Sequence, residues 1–332
     1  MSTITAEPSI QASPKPKAPV AKRWLFGPWV DALLIANLAW PLLVLLQAGE
    51  GFGSRPGLQF WQVYYVTTPH RWITLAIVFL DRERFRERRR VFLGLAACAA
   101  VLCLGVRLST GALTCLLTID FLWNAWHFAS QHHGIYRIYS RLNSPAPSTA
   151  MNVEKWAMRG FLVYVILRVV SATWSDQTLQ DYLGTCDWIV LIVPAWLIAR
   201  DVAQTGFAAS RTLYLASVMV LYVSMLWAVH EQRTGLLLGL ATASALFHAL
   251  EYLAIVSWSV RQRHTATRGR MGFLGYLVPR WSIALAVFVL ILGAGGWLME
   301  QHLMETWLFL NVMVAFLHYA YDGLIWRRRP AS

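Results

Sequence analysis

The stretch GLLLGLATASALFHALEYLAIVSW, residues 235–258, decides how this chain is read. It exceeds the roughly 20 apolar residues that a helix needs to cross a bilayer core, so it predicts a transmembrane helix. Inside it stand His248 and Glu251, about one helical turn apart. Ionisable residues at membrane depth are costly and by default mark a functional site. Three more apolar stretches each hold an interior histidine: His70, His127 and His318, the last with Asp322 one turn further on.

Composition points to the same class. The 332 residues are 57% hydrophobic and 14% charged, and the mean hydropathy is +0.46. This is the multi-pass membrane range. The net charge of +12 gathers in the gaps between apolar stretches, which is a topology signal and excludes nucleic acid as the expected partner. Cys98, Cys103, Cys115 and Cys186 form no C-x-x-C pair, and the first three are expected as core residues of apolar helices. The Pro- and Lys-rich residues 1–24 read as a disordered cytoplasmic tail, 25–329 as one transmembrane helical domain and 330–332 as a short C-terminal tail. No cleavable leader pattern opens the tail, so the first apolar segment is expected to stay as an anchor.

The fold expected is an all-α, polytopic transmembrane bundle of about ten spans. They fall near residues 29–47, 58–80, 91–106, 111–131, 156–174, 186–199, 207–229, 235–258, 277–298 and 306–326. Basic connections, including Arg82 to Arg90, Arg137 with Arg141, Arg261 to Arg270 and Arg327 to Arg329, alternate with base-poor ones such as those holding Asp176, Asp181 and Glu300. That alternation places both termini in the cytoplasm. The bacterial inner membrane is the expected location. Trp29, Trp174, Trp258, Trp297 and Trp326 sit at expected helix ends, as interfacial tryptophans do. Asp31 and Arg168 are expected to snorkel to an interface, and His230, His264 and His302 to lie in loops. No fixed-period repeat appears, so neither a solenoid nor an inverted-repeat transporter is indicated.

With this topology the second, fourth, eighth and tenth helices all run inward. Counting back at about 1.5 Å per residue places His70 and His248 roughly 15 Å from the inner end, His318 about 12 Å and His127 nearer. Helical phase converges too. Asp120, Asn124, His127 and Gln131 form one stripe; Ser244, His248 and Glu251 a second; Asn311, His318 and Asp322 a third. Thr67, His70 and Thr74 make a weaker one beside Pro69, which is expected to kink its helix. A lone histidine here needs no more than a helix-to-helix hydrogen bond, worth about 0.6 kcal/mol. Four at one depth, two with carboxylates, predict a bound metal or haem, with nitrogens of His127, His248 and His318 converging on one site. Imidazole with carboxylate is the ligand set for iron, manganese or zinc.

At the inner end of the fourth helix the run WHFASQHHG, residues 126–134, adds His132 and His133. The spacing His127-x4-His132-His133 resembles a histidine box of the membrane fatty-acid desaturase and hydroxylase superfamily, whose members hold two irons near the cytoplasmic face. The likeness covers this motif alone; around His248 and His318 the superfamily's H-x-x-H-H pattern does not match. Isolated histidines on separate helices also look like the four-histidine iron pattern of membrane carotene-cleaving oxygenases, and the overall arrangement is similar to other multi-pass bacterial membrane proteins.

The reading is therefore a membrane oxidoreductase of desaturase, hydroxylase or oxygenase type, holding one or two non-haem iron ions and acting on a lipid-soluble substrate near the cytoplasmic leaflet, with an electron-donor protein as partner. His70, His127, His132, His133, His248 and His318 are the candidate metal residues; Glu251 and Asp322 are ligands or orienters; Asn124 and Gln131 are hydrogen-bonding partners. Arg71 either pairs with Asp322 or Glu251 or holds an acidic substrate group. The rival readings are a haem b electron carrier and a transporter or assembly factor that uses the same residues as a proton or ion path; another transition metal in place of iron is the other cofactor alternative. Reporter fusions after Arg90 and after Asp181 should report opposite sides of the membrane; both on one side would remove the topology and the depth argument with it.

Overall fold

Backbone groups withdrawn from water must find partners within their own segment, which makes helices of long apolar runs. The computed structural model describes residues 24–48, 62–143, 150–173, 176–205, 208–267 and 270–326, and all regular structure among them is helical. In chain order these are α1 (Pro28–Ile35), α2 (Trp40–Ala48), a π-helical segment Val63–Thr67 leading into α3 (Thr68–Phe79), α4 (Arg82–Glu87), α5 (Arg89–Thr110), α6 (Thr114–Asn143) and α7 (Ala150–Ser171). There follow α8 (Gln177–Val190), α9 (Ile192–Thr205), α10 (Ala209–His230), α11 (Thr234–Ala266), α12 (Phe273–Leu277) and α13 (Trp281–Ile325). The expected terminal tails fall, apart from Trp24, outside the described residues, as does the basic run Arg327 to Arg329.

Five stretches are long and apolar enough to cross a membrane: Arg89–Thr110, Gln177–Ala203, Ala209–His230, Thr234–Ala266 and Phe273–Ile325. The pair α1 and α2, bent by 41°, makes a sixth if taken as one span. Its bend falls at Asn37, which adopts a positive φ of 44°, a conformation asparagine tolerates better than most residues. The Asn37 amide donates across to the Phe247 carbonyl at 3.4 Å, fixing the bend against α11. Helix α6 is long enough to span but too polar to qualify by composition, because its histidines, Asp120, Asn124 and Gln131 lower its hydropathy.

Helix α13 is broken at Leu303, where φ −141° and ψ 49° leave the helical region. Ile325 near its end packs against the same apolar cluster as Leu285 and Phe288 near its start, so the chain doubles back there. Glycine makes the close approach: a Cβ on Gly296 would lie 2.6 Å from the Trp307 ring, and one on Gly293 would meet the Tyr65 ring at 2.5 Å.

Several expectations are corrected. Helix α6 continues to Asn143, well past 131, so His132 and His133 lie mid-helix and not at its end. Pro69 sits in the first turn of α3, where its missing N–H costs little; the irregularity is the π segment before it. Asp31 is buried and accepts from the Leu25 and Phe26 amides and the Tyr139 hydroxyl. Arg168 is buried against Asp187. Neither snorkels. His230 ends α10 half-buried, 3.3 Å from Asp187, and His264 lies within α11. Of the three helical cysteines only Cys103 is in the core; Cys98 and Cys115 face outward.

A second buried ion pair ties α9 to α10. Arg211 Nε donates to Asp201 Oδ1 at 2.6 Å, with Thr212 and Tyr136 hydroxyls donating to the same carboxylate at 2.7 and 2.9 Å. Removing one member leaves an uncompensated buried charge, at about 3–5 kcal/mol. Asp201→Asn should therefore lower the thermal unfolding midpoint in detergent, and Asp201→Leu combined with Arg211→Met should recover much of the loss.

Candidate metal centre

Four helices deliver imidazoles to one place because each keeps its polar residues on the face turned inward. His70 comes from α3, His127 and His132 from α6, His248 from α11 and His318 from α13; all are buried. Ring centroids are 4.6 Å apart for His127 and His318, 5.1 Å for His70 and His248, 5.1 Å for His127 and His248, and 5.3 Å for His70 and His318. His132 stands at one edge, 6.3 Å from His248. Phe128 stacks on the His248 ring at 3.7 Å and holds it flat. The expected meeting of His127, His248 and His318 is found as adjoining rings and not as one donor set: His318 groups with His70 and His248 on one side and with His127 and Asp322 on the other.

The carboxylates flank this cluster at opposite ends. Glu251, fully buried, lies 3.1 Å from His132 Nδ1 and accepts from the Gln131 amide at 2.6 Å and the Tyr214 hydroxyl at 3.0 Å. Gln131 Nε2 also reaches the His248 carbonyl at 2.9 Å, tying α6 to α11. Asp322 accepts from the Tyr252 hydroxyl at 2.6 Å and turns its other oxygen to His127 Nε2 at 4.0 Å. The Tyr252 and Thr74 hydroxyls lie 2.6 Å apart, and Thr74 Oγ1 is 2.6 Å from His318 Nδ1. His318 is thereby held by one nitrogen and offers Nε2, 3.0 Å from His127 Nε2.

Against these satisfied groups stand unsatisfied ones. Both ring nitrogens of His70, both of His248 and Nε2 of His132 are buried and make no hydrogen bond; the Thr67 carbonyl lies near the His70 ring without hydrogen-bond geometry. A buried polar atom left unpaired costs about 1–3 kcal/mol. One nitrogen of each neutral ring carries a lone pair, and buried lone pairs gathered without a protein donor fit a cation. Three sets each bring donor atoms within 4.8 Å of one another: His70, His248 and His318; His127, His318 and Asp322; His132, His248 and Glu251. Each set offers one imidazole nitrogen or carboxylate oxygen per residue, the donor chemistry of a bare metal ion.

Other candidates are placed differently from expectation. Arg71 pairs with neither Glu251 nor Asp322; its partner is Asp120, at 3.7 Å. Both carboxylates are accordingly free of it. Asp120 and Asn124 both accept from the Tyr319 hydroxyl, at 2.9 and 3.0 Å, so Asn124 braces the rim of the site and does not enter it. His133 belongs to none of the three donor sets and lies on the side of Arg159 and Lys155 in α7. Sequence reasoning missed Tyr214 and Tyr252 and gave Thr74 only a minor place. Tyr252 follows Glu251 directly and was open to notice; Tyr214 sits on a span without a buried histidine, and nothing local marks it.

Comparison with protein-family models, with curated proteins and with solved structures gives no match, and the site is read from its geometry alone.

Proposed function

We propose that this chain is an integral-membrane, non-haem metal-dependent oxidoreductase acting on a lipid-soluble substrate near the cytoplasmic leaflet. One observation carries the reading: His70 and His248, whose buried ring nitrogens make no hydrogen bond, each lie in a set of three histidine or carboxylate donors within 4.8 Å of one another, between four helices. Mixed imidazole and carboxylate donors suit iron, manganese or zinc, and the histidine-box resemblance favours iron. Seven donor residues in three overlapping sets accommodate two ions better than one, with His132 and Glu251 at one end and His127 and Asp322 at the other. Ten crossings with cytoplasmic termini belong to the same reading, which takes α1 with α2 as one span, α8 with α9 as one, and the two arms of α13 as two.

Bound iron would supply redox chemistry with dioxygen that no side chain offers by itself. The chain's own part is positional. Thr74, bonded at Nδ1, sets the tautomer and orientation of His318, as outer partners of ligating histidines do. Gln131 and Tyr214 fix both oxygens of Glu251, and Tyr252 fixes one oxygen of Asp322. Burial of every donor keeps water out, which strengthens each electrostatic contact. Arg71, paired only at 3.7 Å, has donors to spare for an acidic group of the substrate. An electron-donor protein would dock on the inner, arginine-rich side.

Metal analysis with an optical spectrum tests the reading. Protein purified in mild detergent should carry near-stoichiometric or higher iron without a Soret band; a metal-free protein under careful handling would overturn it. Glu251→Gln and Asp322→Asn keep shape and remove charge, so metal affinity should fall by about 10–100-fold. Because neither carboxylate neutralises Arg71, the yield of folded protein should hold. Unchanged metal content in both variants would remove them from the centre.

A further inference from the structure

Tyr139 and Tyr214 are not among the metal donors, although Tyr214 holds Glu251, and both are buried, at 1% and 0% exposure. Their ring centroids are 5.7 Å apart. Each phenol donates its proton to a carboxylate: Tyr214 to Glu251 Oε2 at 3.0 Å, Tyr139 to Asp31 Oδ2 at 2.9 Å. The Tyr214 oxygen is also 3.0 Å from His132 Nδ1. At the far end Asp31 accepts from the backbone amides of Leu25 and Phe26, where the first helix begins. Tyr139 lies one turn from the end of α6 at Asn143. A line of buried groups therefore leads from His132 and Glu251 towards the end of the bundle that carries the chain's entry.

We propose that Tyr214 and Tyr139 form a two-step electron relay between the centre and the inner face of the membrane. The proposal rests on the metal-oxidoreductase reading. A phenol gives up an electron readily only if its proton has an acceptor at hand, and in a water-free interior that acceptor must be built in. Here both phenols have one. When the loaded centre, oxidised by dioxygen, takes one electron from Tyr214, the phenolic proton moves to Glu251 Oε2 and leaves a neutral radical. Tyr139 then passes an electron to Tyr214, the Glu251 proton returns to the Tyr214 oxygen, and the Tyr139 proton goes to Asp31 Oδ2. The sum is one electron delivered to the centre, one proton moved from Tyr139 to Asp31, and a neutral radical on Tyr139, which a one-electron donor at the inner face reduces.

The other phenols near the centre do not offer this route. Tyr252 donates to Asp322, but its ring contacts are the imidazoles of His70 and His318, so it leads back into the cluster. Tyr319 meets His127, His318 and Trp123 and ends at the Arg71 and Asp120 pair.

The test is electron paramagnetic resonance of full-length protein loaded anaerobically with ferrous iron, assayed for iron, mixed with dioxygen and frozen. A tyrosyl signal is expected, narrowing in protein grown on ring-deuterated tyrosine; this arm uses the unaltered chain and does not depend on a variant folding. Because Tyr214 also holds Glu251, Tyr214→Phe is compared per bound iron, and on that basis it should abolish the signal. Tyr139→Phe should keep it, now confined to Tyr214, and slow its reduction by ascorbate several-fold. Loaded, dioxygen-reactive protein with no tyrosine-dependent signal overturns the relay, as does a signal unchanged in Tyr214→Phe or lost only in Tyr252→Phe. Absence of iron before dioxygen is added is a different failure: it removes the metal reading and the relay with it.

Discussion

The side chains at the middle of this bundle are withdrawn from its surface, and most of its interior chemistry follows from that. A polar side chain in such a place is stabilised by another side chain, a backbone group, an internal water or a bound ion. Thr74, Tyr252 and Asp322 solve the problem for one nitrogen of His318 by forming a chain of short contacts drawn from three helices. For His70 and His248 the protein offers no such answer. The contrast between neighbouring rings is what makes the cluster informative. Had all the imidazoles been paired with hydroxyls and carboxylates, they would amount to helix-to-helix glue.

Tyrosine is the recurrent partner of carboxylates throughout. Tyr136 donates to Asp201, Tyr139 to Asp31, Tyr164 to Asp187, Tyr214 to Glu251, Tyr252 to Asp322 and Tyr319 to Asp120. The ring supplies apolar surface that packs like the rest of the core, and the hydroxyl reaches across to the next helix. Two of these acids, Asp201 and Asp187, also hold a buried arginine, so the same device serves bundle assembly as well as the centre. A carboxylate tied by phenol, amide or arginine has little rotational freedom. Such a group is pre-organised for whatever it must bind.

Much of this was legible in the chain. The three polar stripes on α6, α11 and α13 turn inward as their spacing requires, and the histidines meet because helices of like direction carry them at like depth. What escaped the sequence has physical causes. Hydropathy ends helix α6 at 131 because its second half, with Arg137 and Arg141, looks like a loop; the pattern cannot show that the helix continues to Asn143. Asp31 and Arg168 were read as interfacial because their partners, Tyr139 and Asp187, are distant in sequence. Arg71 was matched to the wrong acid for the same reason: Asp120 lies on α6, and phase along one helix says nothing about which neighbour it faces. Tyr214 carried no local mark at all.

The π-helical turn at Val63–Thr67 has a consequence for how such a site can arise and be lost. After it, α3 presents His70 and Thr74 to the histidine cluster; within it, Tyr64 and Tyr65 fit against the glycines of α13. A π turn holds one residue more than an α turn of the same height, so the two contact faces are in register only because of that surplus residue. Losing it would rotate one half of the helix against the other by about 100°, the angular step of an α-helix. Either the glycine contact or the imidazole would then face the wrong way. The helix is in effect two modules joined by a one-residue phase shift, and insertions and deletions here, more than substitutions, would separate chains that keep the centre from chains that keep only the bundle.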